Sequence, residues 1–288
     1  MSEQGLGFDD YLPADMAKRV NTACVSKTKL CLLSLSMLSI LAGAFIALGA
    51  EFFTLVVFDS NLSVGLTRTL GGLAFSLGLI LVVIAGAELF TGNNLLMMGF
   101  ASRTVTCKQL LKNWGITYIG NFIGSLSIVF LMFLTNLWKM KDYMLGAKMV
   151  LIAADKVNLT FLEAFSRGIL CNALVCLAVW LCFSARSVIS KIAAIIFPIT
   201  AFVASGFEHS IANMYFIPMG ILLRNNEGVI SQIAKMGPDT SLDRLNVMGL
   251  LGNLLPVTLG NIIGGAVMVG LVYWLIIILP QKQKNKKV

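Results

Sequence analysis

The stretch "AFVASGFEHSIANMYFIPMGILL", residues 201–223, decides how this chain is read. It has the length and apolarity of a membrane span, yet Glu208 and His209 stand side by side within it. His209 is the only histidine in the chain. A charge facing lipid at mid-span costs about 3 kcal/mol, so an ionisable pair kept there marks a functional site.

Working outward, composition sets the class. Hydrophobic residues make up 57% of the 288 and charged residues 12%, with a mean hydropathy of +0.85. A soluble domain carries about 25% charged residues on its surface. This chain is therefore an integral membrane protein with room for roughly six spans. The apolar runs fall at 30–49, 70–87, 113–138, 168–185, 192–223 (interrupted at Glu208–His209) and 247–279. Helices are expected throughout, because an isolated strand leaves its backbone unsatisfied in lipid. The net charge of +8 comes from residues between these runs and in the tail "QKQKNKKV", a pattern that sets topology and does not form a nucleic-acid groove. Thirteen of the 22 Lys and Arg residues fall in 18–29, 103–112, 186–191 and 282–287, all on the side of the termini, which places both termini in the cytoplasm. The six cysteines show no CxxC pair and no metal-ligand spacing, and they read as packing residues. The polar N-terminus has no signal-peptide core.

The chain also repeats itself. "NWGITYIGNFIG" (113–124) and "NLLPVTLGNIIG" (253–264) share Asn, six residues, then Gly-Asn-x-Ile-Gly. "AGAELFTGNN" (85–94) echoes "ASGFEHSIAN" (204–213) in small residues, a glutamate, a hydroxyl residue and an asparagine. Two three-span units must point in opposite directions, which predicts an inverted repeat with broken second and fifth spans and a site near the midplane. Gly-rich spans also resemble one another simply because small residues let helices pack closely.

Non-helical backbone at membrane depth survives where protein buries it or where it lines a wet cavity. Glu88 and Glu208 are expected to accept hydrogen bonds from the backbone N–H groups freed by each break. An imidazole titrates near neutrality and can give a hydrogen bond or a proton to a passing anion; a buried histidine bonded to a backbone carbonyl is the other reading of His209. Lys156, in "IAADKVNLTF", reads either as an entrance lysine that concentrates anions or as a solvated loop residue. Phe75, Leu79 and Phe202 lie on the broken spans and read as packing residues or, if they face a path, as apolar constrictions.

The strings "ASGFEHSIANMYFIPMGI", "GGLAFSLGLILVVIAGAELFTGN", "NALVCLAVW" and "GNIIGG" together resemble the formate/nitrite transporter family, along nearly the whole chain. The resemblance implies an aquaporin-like, all-α protomer assembled as a homopentamer in the bacterial inner membrane, each protomer with its own pore and no cofactor or metal. It implies a cytoplasmic segment 1–28, a six-helix channel 29–280 with repeats at about 30–138 and 160–280, and a basic cytoplasmic tail 281–288. It makes His209 the central pore histidine, Thr91 its partner on the loop after the first half of the second helix, Lys156 and Asn172 an outer vestibule pair, and Glu208 the histidine's neighbour. Phe75, Leu79, Leu89, Phe90 and Phe202 match constriction and loop positions. The N-terminal "FDDYLPADMAK" and the "GFEHSIANM" wording favour formate; "ADKVNLTF" lacks the histidines that often follow the lysine in formate channels, which leaves hydrosulfide and nitrite open. One histidine and no phosphate loop argue against an enzyme. No Asn-Pro-Ala repeat argues for a water channel.

Overall fold

The computed structural model describes residues 11–237 and 240–285. The start of the N-terminal segment (1–10) and the end of the basic tail (286–288) lie outside the described residues, as do Pro238 and Asp239. The described residues are helical and turn-like, with no strand among them. Five helices are long and apolar enough to cross a membrane: α2 (Leu32–Val57), α3 (Val64–Ala85), α5 (Cys107–Leu134), α7 (Phe161–Ser184), and α11 (Val247–Ile262), which continues through π-helical turns to Gln281. Two shorter apolar helices, α8 (Val188–Ala204) and α9 (Ser210–Leu223), stand either side of the residues 205–209. An N-terminal helix α1 (Pro13–Thr28), a short α4 (Leu96–Ala101), and α6 (Met144–Val157) and α10 (Glu227–Met236) complete the part that positions the site.

Several helices outrun the charge-free stretches. α2 continues past Gly49 to Val57 and carries Glu51, whose carboxylate accepts the Tyr215 hydroxyl of α9. A carboxylate satisfied inside the protein need not end a span, which is why the run at 30–49 understated the helix. α5 stops at Leu134, short of Trp138; Asn136 turns left-handed at φ 58°, and Trp138 folds back to stack on Phe133.

Two pairs of helices meet at backbone distance, as small residues allow. On α5, a Cβ at Gly124 would fall on the carbonyl oxygen of Ile40 in α2, and on α11 a Cβ at Gly264 would fall on the carbonyl oxygen of Ile169 in α7. The glycines of the repeated Gly-Asn-x-Ile-Gly motif are thus the contact points of α2 with α5 and of α7 with α11. α1 packs across one end, burying Met16, Ala17, Val20 and Cys24 in a cluster with Leu95, Met98 and Trp180.

Candidate functional site: a histidine between two cavities

The site grows from two helix breaks. α3 ends at Ala85 because Gly86 adopts φ +83°, a left-handed turn in which a side chain is strained. α8 ends at Ala204, and Gly206 makes the matching turn at φ +72°. Each loop is then fastened by one asparagine. Asn121 accepts the Phe90 N–H at 2.9 Å and donates to the carbonyls of Ser39 (2.7 Å) and Glu88 (3.0 Å). Asn261 accepts the Ser210 N–H at 2.9 Å and donates to the carbonyls of Gly168 (2.8 Å) and Glu208 (3.0 Å).

The glutamates are fastened in the same paired way. Glu88 takes Lys27 at 2.6 Å and the Asn93 amide at 2.7 Å, and that amide also donates to Asn113 at 2.9 Å. Glu208 takes Lys156 at 2.8 Å and the Asn213 amide at 2.6 Å, and that amide donates to Asn253 at 2.7 Å. The carboxylates therefore hold a lysine and an asparagine. The expectation that they collect free backbone N–H groups is corrected: the N–H groups of Glu88 and Glu208 go to the carbonyls of Leu38 and Arg167 instead. A buried carboxylate needs a cation, and each break has one at hand.

His209 caps α9. Its Nδ1 accepts the Ala212 N–H at 3.1 Å, so in the neutral ring the proton sits on Nε2. Nε2 lies 2.9 Å from Thr91 Oγ1, across from the first break. Phe202 stacks on the imidazole with centroids 6.0 Å apart, and Phe75 meets Phe202 edge-on at 5.6 Å. A cavity of about 200 Å³ opens on one side, lined by Phe75, Phe202, His209, Glu208 and Lys156. A second, of about 320 Å³, is lined by Leu79, Leu89, Glu88 and Lys27. Phe75 and Leu79 are one helical turn apart on α3, so the two cavities approach each other across a single turn of apolar side chains.

The other expected residues fall as follows. Lys156 is 14% exposed and bound to Glu208, so it is a cavity-lining ion pair and no free loop lysine. Asn172 is fully buried behind the Thr91 loop, donating to the carbonyls of Thr91 (3.3 Å) and Asn261 (2.6 Å) and to Asn94 (3.1 Å). The Cys176 thiol adds a bond to the Thr91 carbonyl at 3.3 Å. Phe90 packs against Trp114 and Tyr118 and lines neither cavity. Lys27 was read only as a topology residue; the signal that could have found it is Glu88, which mirrors Glu208 and needs its own cation.

Residues 14–275 match the family model for the formate/nitrite transporter. The chain belongs to the formate/nitrite transporter family. It is a family of transporters and channels rather than of enzymes, and this chain is a multi-pass membrane protein of that family. It is 43% identical over 271 residues to formate channel FocA of Escherichia coli (strain K12), covering 93% of this chain and 95% of that relative. It is 40% identical over 252 residues to formate channel FocA of Haemophilus influenzae, covering 87% and 88%. Among solved structures, a pentameric formate channel with formate bound superposes with a TM-score of 0.77 at 43% identity, over 86% of this chain and 98% of that one. An ion channel of the family superposes with a TM-score of 0.77 at 29% identity, over 91% and 98%.

Proposed function

We propose that this protein is a homopentameric formate channel of the bacterial cytoplasmic membrane, with one pore through each protomer. The observation that carries the reading is the 2.9 Å contact between His209 Nε2 and Thr91 Oγ1, set between two cavities. The relatives named formate channels and the pentameric structure with formate bound support the ion and the assembly.

α8 and α9 placed end to end count as one span, giving six with the five long helices. α3 with α4 and α8 with α9 are then the broken second and fifth spans of an aquaporin-like inverted repeat, at about 30–138 and 160–280, flanked by segments 1–28 and 281–288. The paired wiring of Asn121 with Asn261 and of Glu88 with Glu208 supports the repeat. The Lys and Arg distribution puts both termini in the cytoplasm.

A small anion loses most of its hydration at an apolar constriction, here Phe75, Leu79, Leu89 and Phe202. His209 Nε2–H and the Thr91 hydroxyl are the donors that replace that water. Lys156 with Glu208 keeps a partly compensated positive charge at the approach. Asn172 and Phe90 act from behind, holding the loop that carries Thr91.

The test is flux of formate, nitrite and hydrosulfide into proteoliposomes, side by side, from about pH 5 to pH 8, a range that brackets imidazole titration. Formate is expected to dominate, with a pH profile that His209→Ala abolishes in an intact pentamer. Unchanged flux and pH profile in that variant would sink the role of His209. Preference for hydrosulfide or nitrite would overturn the ion.

A further inference from the structure

The smaller cavity carries more charge than the family motif accounts for. Besides Lys156 and Glu208, its lining includes Arg68 on α3 and Arg167 on α7, with Asp155 as the other acidic residue. Lys156 is already engaged by Glu208 at 2.8 Å. Arg68 and Arg167 have no ion-pair partner within 4 Å among the described residues. The nearest acid along the helix to Arg167 is Glu163, one turn back, but its carboxylate is taken up by the Thr160 N–H (2.9 Å) and hydroxyl (2.7 Å) of the capping box. The Arg167 carbonyl, separately, receives the Glu208 N–H, so the backbone under this guanidinium is tied to the break itself. Arg68 stands near the start of α3, where its side chain is exposed at the mouth.

Two guanidinium groups that line one cavity and lack a direct ion-pair partner, Glu163 acting on Arg167 only from beyond contact, define a ligand chemistry. Each is a planar fork, always charged, that matches two oxygens on one atom. Carboxylate and nitrite present such a pair of oxygens; hydrosulfide and chloride present one near-spherical centre and gain only the charge.

We propose that Arg68 and Arg167 form a capture site for small planar oxyanions at the mouth of the smaller cavity, and that they set the preference for formate-like ions over spherical ones before His209 is reached. The site acts on entry, on the ion's way to the constriction, and takes no part in crossing it. This rests on the channel reading above.

The experiment measures concentration dependence of formate, nitrite and hydrosulfide flux in proteoliposomes for the unaltered chain and for Arg68→Ala, Arg167→Ala and the charge-conserving Arg167→Lys. Pentamer integrity is checked for each by size-exclusion chromatography in detergent. Loss of a guanidinium is expected to raise the half-saturating formate and nitrite concentrations about three- to tenfold, as charge-assisted bonds in a wet mouth do, with the rate at saturation near that of the unaltered chain. Hydrosulfide should change less, and Arg167→Lys should keep hydrosulfide flux while recovering formate only in part. Equal shifts for all three ions, fully restored by lysine, would reduce the pair to plain charge and overturn the proposal. No shift in any variant would overturn it as well. If the unaltered chain passes no formate at all, it is the channel reading that fails, and the two failures are distinct.

Discussion

At the scale of single residues, His209 does two jobs with one ring. Its Nδ1 closes the start of α9 on the Ala212 N–H and its Nε2 reaches Thr91. Asparagine is a good helix cap but is too short to span to Thr91, so the two jobs can be separated. His209→Ala should cost about 1 kcal/mol of stability through the lost cap and His209→Asn much less, with both variants losing the pH profile of flux. Thermal unfolding in detergent beside flux measurements checks this; a His209→Asn channel with a normal pH profile would show that Nε2 is not the working atom. Asn121 and Asn261 are a second residue-scale case. Each, fully buried, makes two bonds to a break and a third to the carbonyl of a neighbouring helix, Ser39 of α2 or Gly168 of α7. Removing either side chain strands a loop N–H and a loop carbonyl, since the Ser39 and Gly168 carbonyls keep their helical bonds, so Asn121→Ala and Asn261→Ala should each destabilise by about 3 kcal/mol, and by similar amounts. A melting series that found one severe and the other silent would contradict their equivalence.

At the scale of elements, the breaks are set by backbone more than by space. A Cβ added at Gly86 or Gly206 would meet nothing within 4 Å, so alanine there fits sterically and is opposed only by the left-handed φ. Gly86→Ala and Gly206→Ala are each expected to cost about 1–2 kcal/mol, and the asparagine variants less, because asparagine tolerates that region. Equal melting temperatures for the alanine and asparagine variants would argue against the strain. The breaks themselves were legible in the sequence, since Glu88 and Glu208 mark them and the Gly-Asn-x-Ile-Gly repeat marks the helices that brace them. What each residue holds was not legible. Glu88 is joined to Lys27 across 61 positions and Asn121 to Ser39 across 82, pairings that depend on how helices are placed and leave no local pattern. Glu51 escaped for the opposite reason: a charge normally closes an apolar run, and only its partner Tyr215, on another helix, lets the run continue. The resemblance paired Asn172 with Lys156 in an outer vestibule, whereas Asn172 lies midway along α7 and its amide is turned toward the Thr91 loop.

At the scale of the whole molecule, the two cavities differ in what surrounds them. The smaller one faces Asp155 of α6, outside the membrane-length helices, with Lys148, Lys156 and Glu208 as its charged neighbours. Burial is the main influence on Asp155 and raises its carboxyl above the ordinary range. A raised carboxyl loses its charge earlier as pH falls, so this mouth becomes more positive, and more attractive to anions, at mildly acid pH. Asp155→Asn should therefore improve half-saturation for formate severalfold near neutrality and flatten its change on acidification. Half-saturation measured across that range decides the matter, and a variant with the slope of the unaltered chain would remove Asp155 from the account. The larger cavity is overlain by α1, whose Lys27 grips Glu88 as Lys156 grips Glu208 at the other break. A gate whose two latches are wired alike has no ratchet. Nothing in that matched wiring favours passage one way, so net flow should follow the gradients the cell maintains. Any rectification must come from the unmatched parts: α1 over one mouth and the two arginines at the other.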